Sequence, residues 1–294
     1  MKYAWIAEHR DSFPVAVMCG VLNVSTSGFY DSVVRAPSPR QERHELVQQA
    51  VRKVHAESHG TYGSHKVTRM LRKRDDLESA CRNTVAATMR ELGLTSCVRK
   101  AFQPTTTQAD PTKQPAANKL AQDFTAAAPN RKWVTDITYL PTTAGWVYLA
   151  VVIDLFSRKV IGWSLSTSLA TELVCEALRL AVESRRPTGH QLLHHSDRGC
   201  QYTSEAYQQT LRRLGIECSM SRTGCCYDNA AMERFFWSLK HEWTNHTTYV
   251  DLEQARRGVF QYIETFDNSV RLHQTLGHLS PDQYEAEHAP AQAA

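Results

Sequence analysis

Three acidic residues are set in stretches whose other residues point away from the solvent: Asp136, Asp197 and Glu233. Asp136 sits in Trp133-Val134-Thr135-Asp136-Ile137-Thr138-Tyr139-Leu140, a strand pattern holding one acid. Asp197 closes the apolar run Leu192-Leu193-His194-His195-Ser196 and is followed by Arg198 and a glycine turn at Gly199. Glu233 lies in Asp228-Asn229-Ala230-Ala231-Met232-Glu233-Arg234-Phe235-Phe236-Trp237-Ser238-Leu239-Lys240, which reads at helical period. Phe235, Phe236 and Leu239 form one face of that helix, while Glu233 and Lys240, seven residues apart, project from another. Two turns is too far for an internal ion pair, so the two side chains face a common external ligand. Buried carboxylates must be paired or metal-bound. Three acids from separated segments, all with hard oxygen donors, suit divalent magnesium or manganese and phosphoryl transfer.

Taken singly, each acid has a plainer reading: Asp136 a surface strand residue, Asp197 a loop opening, Glu233 a solvated helix position. Asp154 and Asp228 are lesser candidates, the first ending a strand and the second capping the Glu233 helix. Zinc at His194, His195 and Cys200 is disfavoured, because adjacent residues on a strand point to opposite faces.

The elements that must position these acids follow from hydrophobic period. From Lys132 the pattern predicts strands over Trp133 to Leu140, Gly145 to Leu155 and Lys159 to Leu165, with a hairpin turn marked by Pro141 and Gly145. A helix from Thr171 to Ser184, a strand from Gln191 to His195, a helix from Ser204 to Leu214 and a strand from Ile216 to Met220 precede the Glu233 helix. This is an α/β order. Ahead of it, residues 13–35 read as a small helix-turn-helix, with Ser25 capping its second helix. A second three-helix unit covers Glu42 to Glu57, Lys66 to Arg74 and Asn83 to Leu92; Lys66, Arg69, Arg72 and Lys73 read as its outward basic side chains. Each unit reads either as a DNA-binding module or as a plain helical bundle with a solvated face. Residues 101–129, rich in Thr, Pro and Ala, read as a flexible linker. Asp251 to Asp267 forms a further helix, and the tail from His288 reads as frayed.

Three motifs in order resemble the catalytic core of retroviral integrases and related bacterial transposases, the Asp-Asp-Glu superfamily. Asn130 to Tyr139, His195 to Tyr202 and the Glu233 helix, with thirty-five residues between Asp197 and Glu233 and a lysine seven after the glutamate, carry the likeness. It is closest to the downstream-frame transposase subunit of insertion sequences with two overlapping frames. Leu22 to Tyr30 and Asn268 to Leu276 with Ser280-Pro281 resemble that family's outer segments.

The resemblance implies a ribonuclease H-like core of five mixed strands with helices, preceded by small all-α helix-turn-helix units. The implied divisions are residues 1–40, 41–100, a linker at 101–129, a core at 130–245 and a C-terminal helical segment at 246–294. It implies cleavage at the 3′ side of element ends and joining to target DNA. Two Mg²⁺ or Mn²⁺ ions are implied, with Asp136 bridging, Asp197 on one and Glu233 on the other. Lys240, Lys66, Arg69, Arg72, Lys73, Arg198 and Arg271 would contact DNA, and His195, Gln201 and Asn229 would support the site. A ribonuclease H-like nuclease that only hydrolyses, and a DNA-binding regulator with an inactive core, compete with this reading.

Bulk properties agree. The formal net charge of +4 divides unevenly. Residues 1–120 carry 18 Lys and Arg against 11 Asp and Glu, and residues 121–294 carry 16 against 19. A basic front suits a polyanion, and an acidic rear suits a metal-binding core. The eight cysteines are scattered, and Cys225-Cys226 lacks metal-ligand spacing, as in a reduced cytoplasmic protein. No apolar run is long enough to span a membrane, and charged residues follow the first few positions instead of a leader. The expected partners are element and target DNA, further copies of the chain on DNA, and the upstream-frame protein.

Overall fold

The computed structural model describes residues 2–97, 116–187, 191–222 and 225–288, with only the backbone of Cys226. Residues 101–115 of the expected linker and 289–294 of the tail lie outside them. The chain begins with three short helices, α1 (Lys2–His9), α2 (Val15–Val21) and α3 (Thr26–Val34). They close on Ile6, Met18, Cys19 and Phe29. Ser25 caps α3 by accepting from Gly28 N at 3.3 Å. The first of these helices has no strong apolar stripe and is not apparent from the sequence pattern.

The second helical unit comprises α4 (Pro39–Glu57), α5 (Ser64–Leu71) and α6 (Arg82–Glu91). A reciprocal capping box between Ser38 and Gln41, with Pro39 in the first turn, starts α4. Val47, Ala50, Val51 and Val54 form its inner stripe.

The core sheet contains β1 (Lys132–Thr142), β2 (Gly145–Asp154), β3 (Val160–Ser166), β4 (Leu193–Ser196) and β5 (Glu217–Met220), in the order β3-β2-β1-β4-β5. The first three strands pair antiparallel, while β4 pairs parallel to β1 and β5 parallel to β4. Helices α7 (Thr171–Arg185) and α8 (Glu205–Arg213) supply the crossovers, and α9 (Ala230–Glu242) follows β5. This is the ribonuclease H-like arrangement. The sheet is covered on both faces. Trp133, Val152, Ala177, Leu178 and Tyr207 belong to the core on one side; Val134, Leu140, Met232, Phe236 and Leu239 belong to the core under α9 on the other. Gly162 is where α7 lies hardest against β3: a Cβ there would come 2.4 Å from Ala177 O and 2.5 Å from Ala181 N.

The helix expected over Asp251 to Asp267 is present, but only α10 (Leu252–Phe260) is α-helical; Gln261–Asp267 continue it as a wider π-helical turn. The final helix is α11 (Pro281–His288).

Two expectations are corrected. The stretch from residue 116 to 129 is packed on the core and is not free linker: Leu120 is fully buried, and Lys119 N and Leu120 N both donate to Ser219 Oγ, at 2.9 and 3.2 Å. Nor is the second helical unit held apart from the catalytic core. Its buried residues and those beneath α9 form one continuous apolar cluster. Tyr62 Oη donates to Val270 O at 3.3 Å and accepts from Leu272 N at 2.8 Å, and His59 packs edge-on against Trp243 and Phe266.

Candidate active site

The register of two strands brings Asp136 and Asp197 together. In the parallel pair, Trp133 faces His194 and Val134 faces His195. Carried two residues onward, the same register sets Asp197 beside Asp136, and laterally paired residues project to one face of a sheet. That face is the one beneath α9, since Val134 and Leu140, an even number of residues from Asp136, lie in the core with Met232 and Phe236. Thr135 points the other way: its hydroxyl donates to Val151 O at 2.8 Å and lies 3.3 Å from Tyr202 Oη.

Each acid is held by local backbone. Asp136 Oδ1 accepts from Ile137 N at 2.7 Å, and Asp197 Oδ1 accepts from Gly199 N at 2.9 Å. A Cβ at Gly199 would press to 3.1 Å from Asp197 Oδ1 and 3.2 Å from Gln201 Oε1, so the absence of a side chain there lets both polar groups close over the turn. Gln201 is fixed from its other end by Nε2 donating to Leu169 O at 3.0 Å.

Helix α9 adds the third acid. Asn229, just before it, donates from Nδ2 to Thr135 O at 3.2 Å, which pins the start of α9 to β1 next to Asp136. Glu233 sits in the first turn of α9, where the helix dipole favours a carboxylate, and is exposed. Two turns on, the Lys240 ammonium lies 4.6 Å over the Tyr139 ring.

The electrostatics are those of acids crowded together. Burial, then the neighbouring Asp197, then Glu233, push the Asp136 carboxyl well above the ordinary range; the Ile137 N–H and Lys240 pull the other way. Partial burial raises Glu233, and burial lowers the Lys240 ammonium against the attraction of Asp136. Three carboxylates in a mutually repulsive field suit a hard divalent cation in donor type and charge. Among the described residues no three Asp, Glu, His or Cys groups are yet gathered around one point for an ion, so the acids are neighbours without forming a closed coordination shell.

The supporting residues divide. His194 and His195 do face opposite ways, His194 Nε2 lying 2.7 Å from Tyr207 Oη, and His195 bridging Ser219 Oγ at 2.8 Å and Ser221 Oγ at 3.1 Å. Burial lowers both, His194 to about 3 and His195 to about 4, so both are neutral. His195 thus ties β4 to β5 behind Asp197. Arg198 is half-buried and donates from Nε to Ser221 O at 2.6 Å.

Two of the basic residues expected to contact DNA, Arg271 and Lys66, turn toward the protein instead. Arg271 is almost fully buried, clamped to Glu242 at 2.6 and 2.7 Å, bonded to Ser238 Oγ at 3.0 Å and 3.5 Å from Asp267. Its guanidinium fastens the C-terminal segment to α9. Lys66 turns inward over the Tyr62 ring at 4.9 Å, because the face of α5 that reads as solvated is covered by residues from the far end of the chain. Arg69, Arg72 and Lys73 are exposed.

Sequence reading passed over the clasp made by Asp228. Its carboxylate, wholly buried, accepts from Arg222 N at 2.8 Å, Arg222 Nη2 at 2.9 Å, Asn118 Nδ2 at 2.8 Å and Gln122 Nε2 at 2.9 Å. Arg222 first, with these other donors, holds it far below the ordinary carboxylate range. This carboxylate is structural: it ties residues 118–122 to the approach of α9. Asp154 likewise serves the backbone, accepting from Asn130 N at 2.8 Å and Phe156 N at 3.0 Å.

Residues 126–226 match the family model described as integrase core domain, residues 214–281 match a second model of that description, and residues 41–102 match an HTH-like domain. The chain is 42% identical over 289 residues to the transposase InsF for insertion sequence IS3A of Escherichia coli K12, covering 97% of this chain and 98% of that one. It is 36% identical to the insertion element IS600 uncharacterized 31 kDa protein of Shigella sonnei, over 90% of this chain and 96% of that protein. Among solved structures, a chain of the simian T-cell lymphotropic virus intasome in complex with PP2A regulatory subunit B56 gamma aligns with TM-score 0.47 at 15% identity, over 82% of this chain and 76% of that one. The HTLV-2 integrase catalytic core domain in complex with magnesium, in its trimeric form, aligns with TM-score 0.40 at 17% identity, over 53% and 97%.

Proposed function

The chain belongs to the integrase-core transposases of bacterial insertion sequences, and we propose that it cuts the 3′ side of element ends and joins them to target DNA at Asp136, Asp197 and Glu233. The observation that carries the reading is the register of β1 and β4, which continued past Val134 and His195 sets Asp197 beside Asp136, where the charges of Asp197 and Glu233 act on the Asp136 carboxyl. Those three carboxylates would hold Mg²⁺ or Mn²⁺, two ions in the family's manner, which supply charge neutralisation at the phosphate and activation of the attacking oxygen. The chain's own part is geometric. Asn229 and the Gly199 turn fix the acids, the neutral His195 holds β4 against β5, and Lys240 meets a phosphate beside the reacting bond.

In the first reaction a water oxygen attacks the phosphorus at the element end, the bond from phosphorus to the 3′ oxygen breaks, and a free 3′-hydroxyl remains. In the second that hydroxyl attacks a target phosphorus, and one phosphodiester bond forms as another breaks. Neither requires an enzyme-linked intermediate. The exposed Arg69, Arg72 and Lys73 of the second helical unit hold backbone phosphates. Pairing two ends calls for more than one copy of the chain on DNA, and the upstream-frame protein is a further partner.

Supercoiled plasmid incubated with wild type, Asp197→Asn and Glu233→Gln, in Mg²⁺, Mn²⁺ or EDTA, tests the site. Metal-dependent nicking by wild type, lost in both variants while DNA retention in a gel shift persists, is the expected result. A labelled 3′ end then separates joining from hydrolysis. Equal nicking by Asp197→Asn would remove these acids from the reaction.

A further inference from the structure

A second site lies on the other flank of α9. At about 100° of helical turn per residue, the positions that face it, Arg234 and Phe235 among them, point well away from Glu233 and Lys240. It is a cavity of about 360 Å³ where the second helical unit, the core and the C-terminal segment meet. That is within the range of pockets that take a small organic ligand.

The lining is cationic. Lys66 from α5, Arg158 from the turn after β2 and Arg234 from α9 all border the cavity, against one acid, Asp267. None of the three cations is ion-paired to a described residue: Lys66 lies over Tyr62, Arg234 over Trp237 at 4.7 Å, and Arg158 donates to Phe124 O at 2.8 Å. Burial, and then the positive charge of Arg271, lower Lys66 to about 8 against the attraction of Glu242 and Asp267. The walls between the cations are apolar, Phe124 on one side and Phe235 on another. Asp267 is fully buried and already compensated from the protein side, with Arg271 and His273 lying 3.5 and 3.4 Å away and holding its carboxyl below the ordinary range against its burial.

We propose that this cavity binds one deoxynucleotide unit, its phosphate on Lys66, Arg158 and Arg234 and its base against Phe124 and Phe235. The aromatic lining selects a nucleotide over inorganic phosphate and accepts the face of any base. The unit comes either free or as an unpaired nucleotide of a DNA strand. The site is independent of the three acids.

The test uses the full chain in EDTA, which removes any metal-mediated phosphate binding at the acids. Isothermal titration with dAMP, dCMP, dTMP and inorganic phosphate should give saturable binding of each nucleotide, at least tenfold tighter than phosphate. Lys66→Met and Arg234→Gln should each weaken dAMP at least tenfold, and Thr275→Trp, which fills the rim of the cavity, should abolish it. Thermal unfolding checks that each variant is folded. Asp136→Asn should bind dAMP as wild type does, which separates this site from the acids. Displacement of dAMP by an oligonucleotide with an unpaired 3′ adenosine assigns the source to DNA, and retention of dAMP assigns it to free nucleotide; both support the site. Absence of saturable nucleotide binding, equal affinity for inorganic phosphate, or unchanged dAMP binding in all three variants would overturn it.

Discussion

Replacing Asp136 by Asn should make the metal-free protein more stable while removing its chemistry. The register of β1 and β4, continued two residues, puts Asp136 and Asp197 at about the 5 Å spacing of paired strands. Two unit charges at that distance in an effective dielectric near 20 repel by about 3 kcal/mol. Asparagine retains the acceptor that Asp136 Oδ1 presents to Ile137 N, so the substitution removes charge without removing that bond. At neutral pH in EDTA the variant should gain up to about 3 kcal/mol, or about 6–10 °C in unfolding temperature for a chain of this size. The sign with pH follows from the raised carboxyl of Asp136. A group that binds its proton more tightly folded than unfolded destabilises the fold as pH rises from its unfolded pKa through its folded one. The advantage of the variant should therefore be smaller at pH 5 than at pH 8. Saturating Mg²⁺ should narrow it, because only the wild type gains about 2.7 kcal/mol at a hundredfold excess over Kd. Urea unfolding followed by tryptophan fluorescence, with EDTA and with Mg²⁺, measures all three. A variant less stable than wild type at pH 7.5 in EDTA, or a gap indifferent to Mg²⁺, would refute the argument that these acids repel each other.

Arg271→Met should cost about 3–5 kcal/mol, because it leaves Glu242 and Asp267 buried without their cation, and urea unfolding reads it directly. Asp228→Ala should release residues 118–122 from the core at a cost of about 2–4 kcal/mol, seen as faster limited proteolysis in that stretch. The lowered carboxyl of Asp228 gives stability present above pH 4 and lost as pH falls further, so the variant should lack that part of the acid transition. Gly162→Ala should destabilise by about 1–3 kcal/mol or more, since its methyl meets backbone of α7 at 2.4 and 2.5 Å, and a lowered unfolding temperature with intact secondary structure is the check.

Asp136 and Asp197 are legible in sequence because they stand in or at the end of apolar runs, and Glu233 because helical period sets it apart from Phe235, Phe236 and Leu239. The ribonuclease H-like order of elements is legible because the first three strands are rich in Val, Ile and Thr and the later ones fall between helical periods. What the sequence hides is contact at long range. Lys66 reads as an outward base, since a helical wheel has no view of the segment some two hundred residues away that covers α5, and Arg271 reads as a DNA contact only through the resemblance of its segment. Residues 116–129 read as tether because Leu120 and Phe124 stand among alanine, proline and threonine; the backbone of Lys119 and Leu120 is held by Ser219 and the side chains of Asn118 and Gln122 by Asp228, neither of which lies nearby in sequence. The buried ion pair of Arg271 with Glu242 is hidden likewise, Glu242 ending α9 and Arg271 lying in the irregular segment after the π-helical turn.

The shared apolar cluster, with Tyr62 bonded to the backbone on either side of Arg271, makes the molecule a ruler. On the proposed function, DNA held along α4 to α6 would meet the acids at a distance set by packed side chains. The number of base pairs between the held sequence and the cut bond would then be written into the protein interior. Inserting residues between α6 and β1 would leave that number unchanged, whereas loosening Tyr62 would blur it into a spread of cut positions.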